Sequence, residues 1–109
     1  MQTNAERVLN ALGDPTRREV LRRLRSGTRS VGEIAAGLNV TRPAVSQHLK
    51  ILKEARLVLD RAEGTRRLYA VDQRGFSDLR TWLDGFWDET LGAFKRAAEL
   101  EASRERKKR

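Results

Sequence analysis

Arg42, Pro43, Ser46, Lys50 and Lys53 fall on one side of a helical wheel, with Gln47 at its boundary. The set joins a guanidinium, an amide, a hydroxyl and two ammonium groups, and no carboxylate enters the segment before Glu54. Such groups divide their labour well on a nucleic-acid duplex. Lys and Arg neutralise phosphates, while Arg and Gln pair bidentately with guanine and adenine edges. Arg42, Ser46 and Gln47 are the candidates for base edges, and Thr41 and Lys50 for the phosphate backbone. A helix N-terminus adds amide donors and partial positive charge to that end.

The opposite side of the segment is apolar. Val45, Leu49 and Leu52 form its centre, and Ala44, Ile51 and Ala55 extend it. Thr41 caps this helix, Pro43 is tolerated in its first turn, and it runs to about Ala55. His48 falls among Ala44, Ile51 and Leu52, a packed or boundary position, with a phosphate contact or an effector pocket as its alternatives. Ser46 lies two residues away, too close along the helix to face it as a nucleophile.

The elements that must position this helix are legible around it. Ser30-Val31-Gly32-Glu33 forms a capping box opening a short helix with Val31, Ile34, Ala35 and Leu38 as its apolar side. Asn39-Val40 is the turn, with Asn39 suited to the left-handed conformation. A short helix, a tight turn and a longer helix outline a helix-turn-helix. Upstream, Thr3-x-x-Glu6 opens a first helix carrying Ala5, Val8, Leu9 and Leu12, stopped by Gly13. Asp14-Pro15 starts a second with Val20, Leu21 and Leu24, ended by Gly27.

After Leu57 the period changes to that of strands. Val58–Arg61 and Arg66–Val71 flank the turn Ala62-Glu63-Gly64-Thr65, a two-stranded hairpin that reads as a wing. Alternation puts Arg67 with Tyr69 and Val71 on the packed side, so Arg66 is the outward candidate, suited to a phosphate or the minor groove.

One long helix is predicted from Gly75 to about Ala102. Phe76, Leu79, Leu83, Phe86, Trp87, Leu91 and Phe94 share an arc of roughly 140°, flanked by Trp82. That is more apolar area than one thin domain covers. A homodimer burying this stripe, together with Val8 and Leu12 of the first helix, is the expected outcome.

The 109 residues predict one small domain, residues 1–102, followed by a basic, disordered tail, 103–109. The net charge of +8 is uneven. Residues 14–74 hold fourteen basic against seven acidic side chains, 75–102 three against six, and the tail five against one. An arginine-rich central block is the footprint of a polyanion partner. Cysteine is absent and histidine occurs once, which removes disulfides, thiolate sites and imidazole-rich metal sites. No metal or other cofactor is expected. The longest uncharged run, Ile34–Thr41, is too short for a membrane, and Met1-Gln2-Thr3-Asn4 does not begin a secretion signal, so a cytoplasmic protein is expected.

Taken in order, Leu12-Gly13-Asp14-Pro15-Thr16-Arg17-Arg18 with Leu21-Arg22-Arg23-Leu24, Ser30–Ala35, Arg42–Lys53, and Leu57-Val58 with Gly64–Tyr69 resemble the ArsR/SmtB-type winged-helix repressors. The resemblance covers about residues 5–100. It implies a mainly α winged helix-turn-helix with a long C-terminal dimerisation helix, binding double-stranded DNA at an inverted-repeat operator. Carried over by position, the contacts fall on Thr41, Arg42, Pro43, Ser46 and Gln47, with Arg66 in the wing. Metal sensors of that family use cysteines on the first helix of the motif, or Asp/His sets on the last. Here Val31–Leu38 has no thiol, and Asp78, Asp84, Asp88 and Glu89 have no histidine beside them. The expectation is a regulator that does not sense metal through Cys or His. A winged helix serving as a protein-interaction or non-specific nucleic-acid module is the alternative. An enzyme has no organised nucleophile, phosphate-cradling loop or metal cluster to rest on.

Overall fold

The computed structural model describes residues 1–107. Its elements are α1 (Asn4–Leu12), α2 (Pro15–Leu24), β1 (Arg29–Ser30), α3 (Val31–Ala36), α4 (Arg42–Glu54), β2 (Val58–Glu63), β3 (Arg66–Val71) and α5 (Gln73–Lys107). They divide into two compact units, Met1–Leu79 and Arg80–Arg109.

The first unit is built from well-capped helices. The Thr3 and Ser30 hydroxyls accept the amides of Glu6 and Glu33, whose carboxylates return to the cap amides, so both capping boxes form. Asp14 accepts from the Thr16 and Arg17 amides, with Pro15 opening α2. Those amide bonds, that of Arg17 first, hold the Asp14 carboxyl below its usual range. Val8, Val20, Ile34, Val45, Leu49, Leu52 and Leu57 are wholly enclosed, with Ala11, Leu21, Leu24, Ala55 and Val58 completing the core. α4 is thus the central helix, and its buried Val45, Leu49 and Leu52 are the centre of the stripe that the periodicity defined.

The hairpin belongs to a three-stranded antiparallel sheet in the order β1-β3-β2. β1, absent from the sequence reading, pairs Arg29 with Tyr69 and Ser30 with Leu68. The left-handed residue also differs from expectation. It is Arg56, at φ 61°, the one non-glycine residue with positive φ among the described residues. Asn39 is not needed there, because α3 already ends at Gly37 and the Leu38 amide closes the turn on the Ala35 carbonyl. Arg56 instead completes a Schellman stop to α4. The Leu57 amide reaches the Leu52 carbonyl at 2.9 Å and the Arg56 amide reaches Lys53 at 3.0 Å.

Asp72, buried before α5, accepts the Arg74 amide at 3.0 Å and its guanidinium at 2.8 Å. The Arg74 guanidinium, and after it that amide, hold the Asp72 carboxyl below its usual range.

The second unit is helical. Trp82 and Phe86 stack with ring centres 5.5 Å apart, and Trp87 meets Phe86 edge-on at 6.4 Å. α5 continues through Lys107, so residues 103–107, expected to be a disordered tail, are helical; five of the seven tail residues simply extend a helix already formed. Lys108 and Arg109 lie outside the described residues. No helix among the described residues is long and apolar enough to cross a membrane.

The expected self-association stripe separates into three groups. Val8 is fully buried in the core of its own chain, so it has no surface to offer a second copy. Helical spacing had put it on an apolar face without saying which neighbour covers that face. Leu12, Phe76 and Leu79 are half-buried and pack against the same core. Leu83, Phe86, Trp87, Leu91 and Phe94 are exposed, rising from 38% at Leu83 to 67% at Phe94.

Candidate nucleic-acid interface

Thr41 caps α4, its hydroxyl accepting the Ala44 amide at 3.3 Å while its carbonyl accepts that of Val45. Pro43 has no amide to offer. Of the first turn, only the Arg42 N–H remains for an anion, fewer donors than a bare helix N-terminus presents. The side chains carry the chemistry instead.

Arg42, Pro43, Ser46, Gln47 and Lys50 are all exposed, while Val45 and Leu49 between them are closed to solvent. Arg42 and Lys50 form no ion pair among the described residues. Ile51, expected on the packed side, is 39% exposed. His48 sits at the boundary, partly buried, with an enclosed Nδ1 that has no hydrogen-bond partner.

The wing reaches the same place. Ser30, Val31, Gly32, Arg42, Thr65, Arg66 and Arg67 line a groove of about 340 Å³. Gly32 lets Arg42 lie across the start of α3, since a Cβ there would stand 3.0 Å from its Nη2. Arg66 is 3.6 Å from Glu33, with both side chains half-exposed. Glu33 is held below the usual carboxylate range first by its bond from the Ser30 amide, with Arg66 a lesser cause. The groove therefore joins the N-terminal end of α4, the start of α3 and the wing, and three guanidiniums border it.

Arg67 lies on the Tyr69 and Val71 side, as alternation required, yet its side chain is as exposed as that of Arg66. Asp60 explains the difference. This carboxylate, one step along β2 from the buried Val58 on the same face, accepts from Arg67 at 2.7 Å and from Lys53 at 2.8 Å. The sequence reading missed it. A carboxylate two residues beyond a buried valine in a strand was the available signal.

No group of three or more metal-ligating side chains occurs among the described residues. A winged helix-turn-helix with an exposed cationic helix and a basic wing is the architecture of a DNA-binding transcriptional regulator. The chain belongs to the ArsR family. Residues 14–59 match the model of the bacterial regulatory protein, arsR family. The HTH-type transcriptional regulator Rv2034 of Mycobacterium tuberculosis is 51% identical over 96 residues, covering 88% of this chain and 90% of that one. The transcriptional repressor SdpR of Bacillus subtilis is 35% identical over 79 residues, 72% of this chain and 88% of its own. A solved homodimeric winged helix-turn-helix DNA-binding domain from Mycobacterium bovis, a possible ArsR-family regulator, aligns with a TM-score of 0.64 and 32% identity, covering 81% of this chain and 82% of that one.

Proposed function

We propose that this regulator is a homodimeric repressor of a two-fold symmetric operator. Arg42, Ser46 and Gln47 read base edges in the major groove, with Pro43 packed at the groove floor. Thr41, Lys50 and Arg66 contact phosphates. The observation that carries this reading is the shared groove bringing Arg42 of α4 beside Arg66 of the wing, with no ion pair on Arg42 or Lys50 among the described residues.

Self-association draws on the exposed residues of α5, Leu83, Phe86, Trp87, Leu91 and Phe94. Full burial of one such Phe is worth about 1.5–3 kcal/mol, a strong incentive to pair. A homodimeric relative of known structure supports the same assembly, and the SdpR likeness supports repression. Half-sites then lie about 34–36 Å apart. Response to metal through Cys or His does not fit the side chains present, so any control signal has another chemistry.

The test is selection of duplexes from a random-sequence library by the purified protein, followed by affinity against salt. A dimer neutralising ~6–10 phosphates loses roughly 10³–10⁵ in affinity between 50 and 200 mM salt. Equal affinity for selected and random duplexes would favour a non-specific module; a flat salt response would end the DNA reading.

A further inference from the structure

Asp60 holds two cations that border the DNA-facing surface. Its side chain is 7% exposed, and its two oxygens are divided between them. Oδ1 accepts from Lys53 Nζ at 2.8 Å, and Oδ2 from Arg67 Nη1 at 2.7 Å. Lys53 lies in the last turn of α4, on the wheel face of Ser46 and Lys50, and Arg67 neighbours Arg66 in β3. One carboxylate thus ties the recognition helix to both strands of the wing. Both cationic side chains remain more than half exposed, so they could swing to a phosphate if released. The Lys53 hydrogen bond, and then that of Arg67, hold the carboxyl below its usual range, so it stays charged at neutral pH.

The contact between Arg66 and Glu33 is different. It is longer, 3.6 Å, and joins two half-exposed groups, the kind of pair that solvent screens and a phosphate displaces at little cost.

We propose that Asp60 is a specificity-determining residue: by holding Lys53 and Arg67 it withholds two cations from sequence-blind phosphate contact. The inference rests on the DNA-binding reading above. Phosphate neutralisation supplies nearly all non-specific affinity, whereas discrimination is a difference between affinities. Withholding cations that read no base lowers the first and widens the second.

The experiment uses the full chain, with one duplex selected by the wild-type protein and one of random sequence, each titrated across salt. Asp60→Asn is expected to tighten binding to the random duplex and narrow the ratio between the two. Its log–log salt slope steepens by about 0.9 for each freed cation that takes a phosphate, roughly 1.8 per protomer. Lys53→Gln alone leaves the random-duplex slope unchanged, and adding it to Asp60→Asn takes back about 0.9. A purely architectural Asp60 gives weaker binding to both duplexes at an unaltered slope, which overturns the proposal. So does a flatter slope for Lys53→Gln in the wild-type background, because Lys53 would then already engage phosphate. If Asp60→Asn melts out, Lys53→Gln and Arg67→Gln carry the test, each expected to leave the slope in place. Failure of the wild-type protein to bind either duplex strikes the DNA reading itself and is thereby distinguished.

Discussion

The Gly75 amide donates to the Arg56 carbonyl at 2.7 Å, so the first turn of α5 sits directly on the stop of α4. A Cβ at position 75 would stand 2.5 Å from that oxygen and 2.6 Å from the Ala55 carbonyl. Both are backbone atoms with no room to yield. Gly75→Ala is therefore expected to lower the melting temperature, although alanine is the better helix former. An unchanged melt would show that the two segments part freely.

Arg56 is the complementary case. It holds φ 61° without being glycine, a conformation that costs an L-residue about 1–2 kcal/mol. Arg56→Gly removes that cost and adds unfolded-state entropy, ~0.5–1 kcal/mol in the opposite direction. A net gain of up to about 1.5 kcal/mol is expected in denaturant titration.

Contacts to bases and to phosphates separate by mutation. Arg42→Ala and Gln47→Ala should each erode discrimination between selected and random duplexes by about 1–3 kcal/mol. Lys50→Ala should weaken both duplexes alike and lower the salt slope by about 0.9 per protomer. Competition binding at fixed salt checks the first, and a salt series the second.

Stripe and core should likewise respond differently. Leu52→Ala opens a cavity in the centre of the first unit and is expected to cost about 2–5 kcal/mol of stability. Phe94→Ser removes an apolar side chain already 67% exposed, and should shift mass in light scattering toward monomer while far-UV circular dichroism keeps its helical signal. A dimeric mass retained by both Phe94→Ser and Trp87→Ser would place self-association elsewhere.

Acid should act through the paired carboxylates. The Asp72 carboxyl is held down by Arg74, and that of Asp60 by Lys53 and then Arg67. A depressed folded-state value means that the stabilisation is complete above the unfolded carboxyl value near 4. It is lost as pH falls below that and through the folded value. Asp72→Asn should flatten the decline of melting temperature between about pH 4 and 2, with little effect on its shape from pH 5 to 7.

Local grammar made most of this fold readable. Thr3 with Glu6, Ser30 with Glu33, and Asp14-Pro15 each announce a helix start through neighbours two or three residues away. The cationic face of α4 follows from the same short-range spacing. What escaped the reading depends on distant partners. β1 is two residues long and exists because Leu68 and Tyr69 come alongside. Arg56 carries no compositional mark of a left-handed stop; the burial of Leu52 and Leu57 around it sets the backbone. Val8 sat on a correct apolar face, but periodicity does not say whether a chain or its copy covers it. Asp60 looked like a strand residue of no note until Lys53 and Arg67 arrived from either side.

Ser30 serves two masters: its hydroxyl caps α3 and its backbone stands opposite Leu68 in the sheet. Flexing the hairpin root against the helix pair would strip a cap and a strand pairing together. Compliance is thus left to the apex around Gly64, at φ 63° beyond the final rung between Glu63 and Arg66, and the base of the hairpin inherits the stiffness of the helices beneath it.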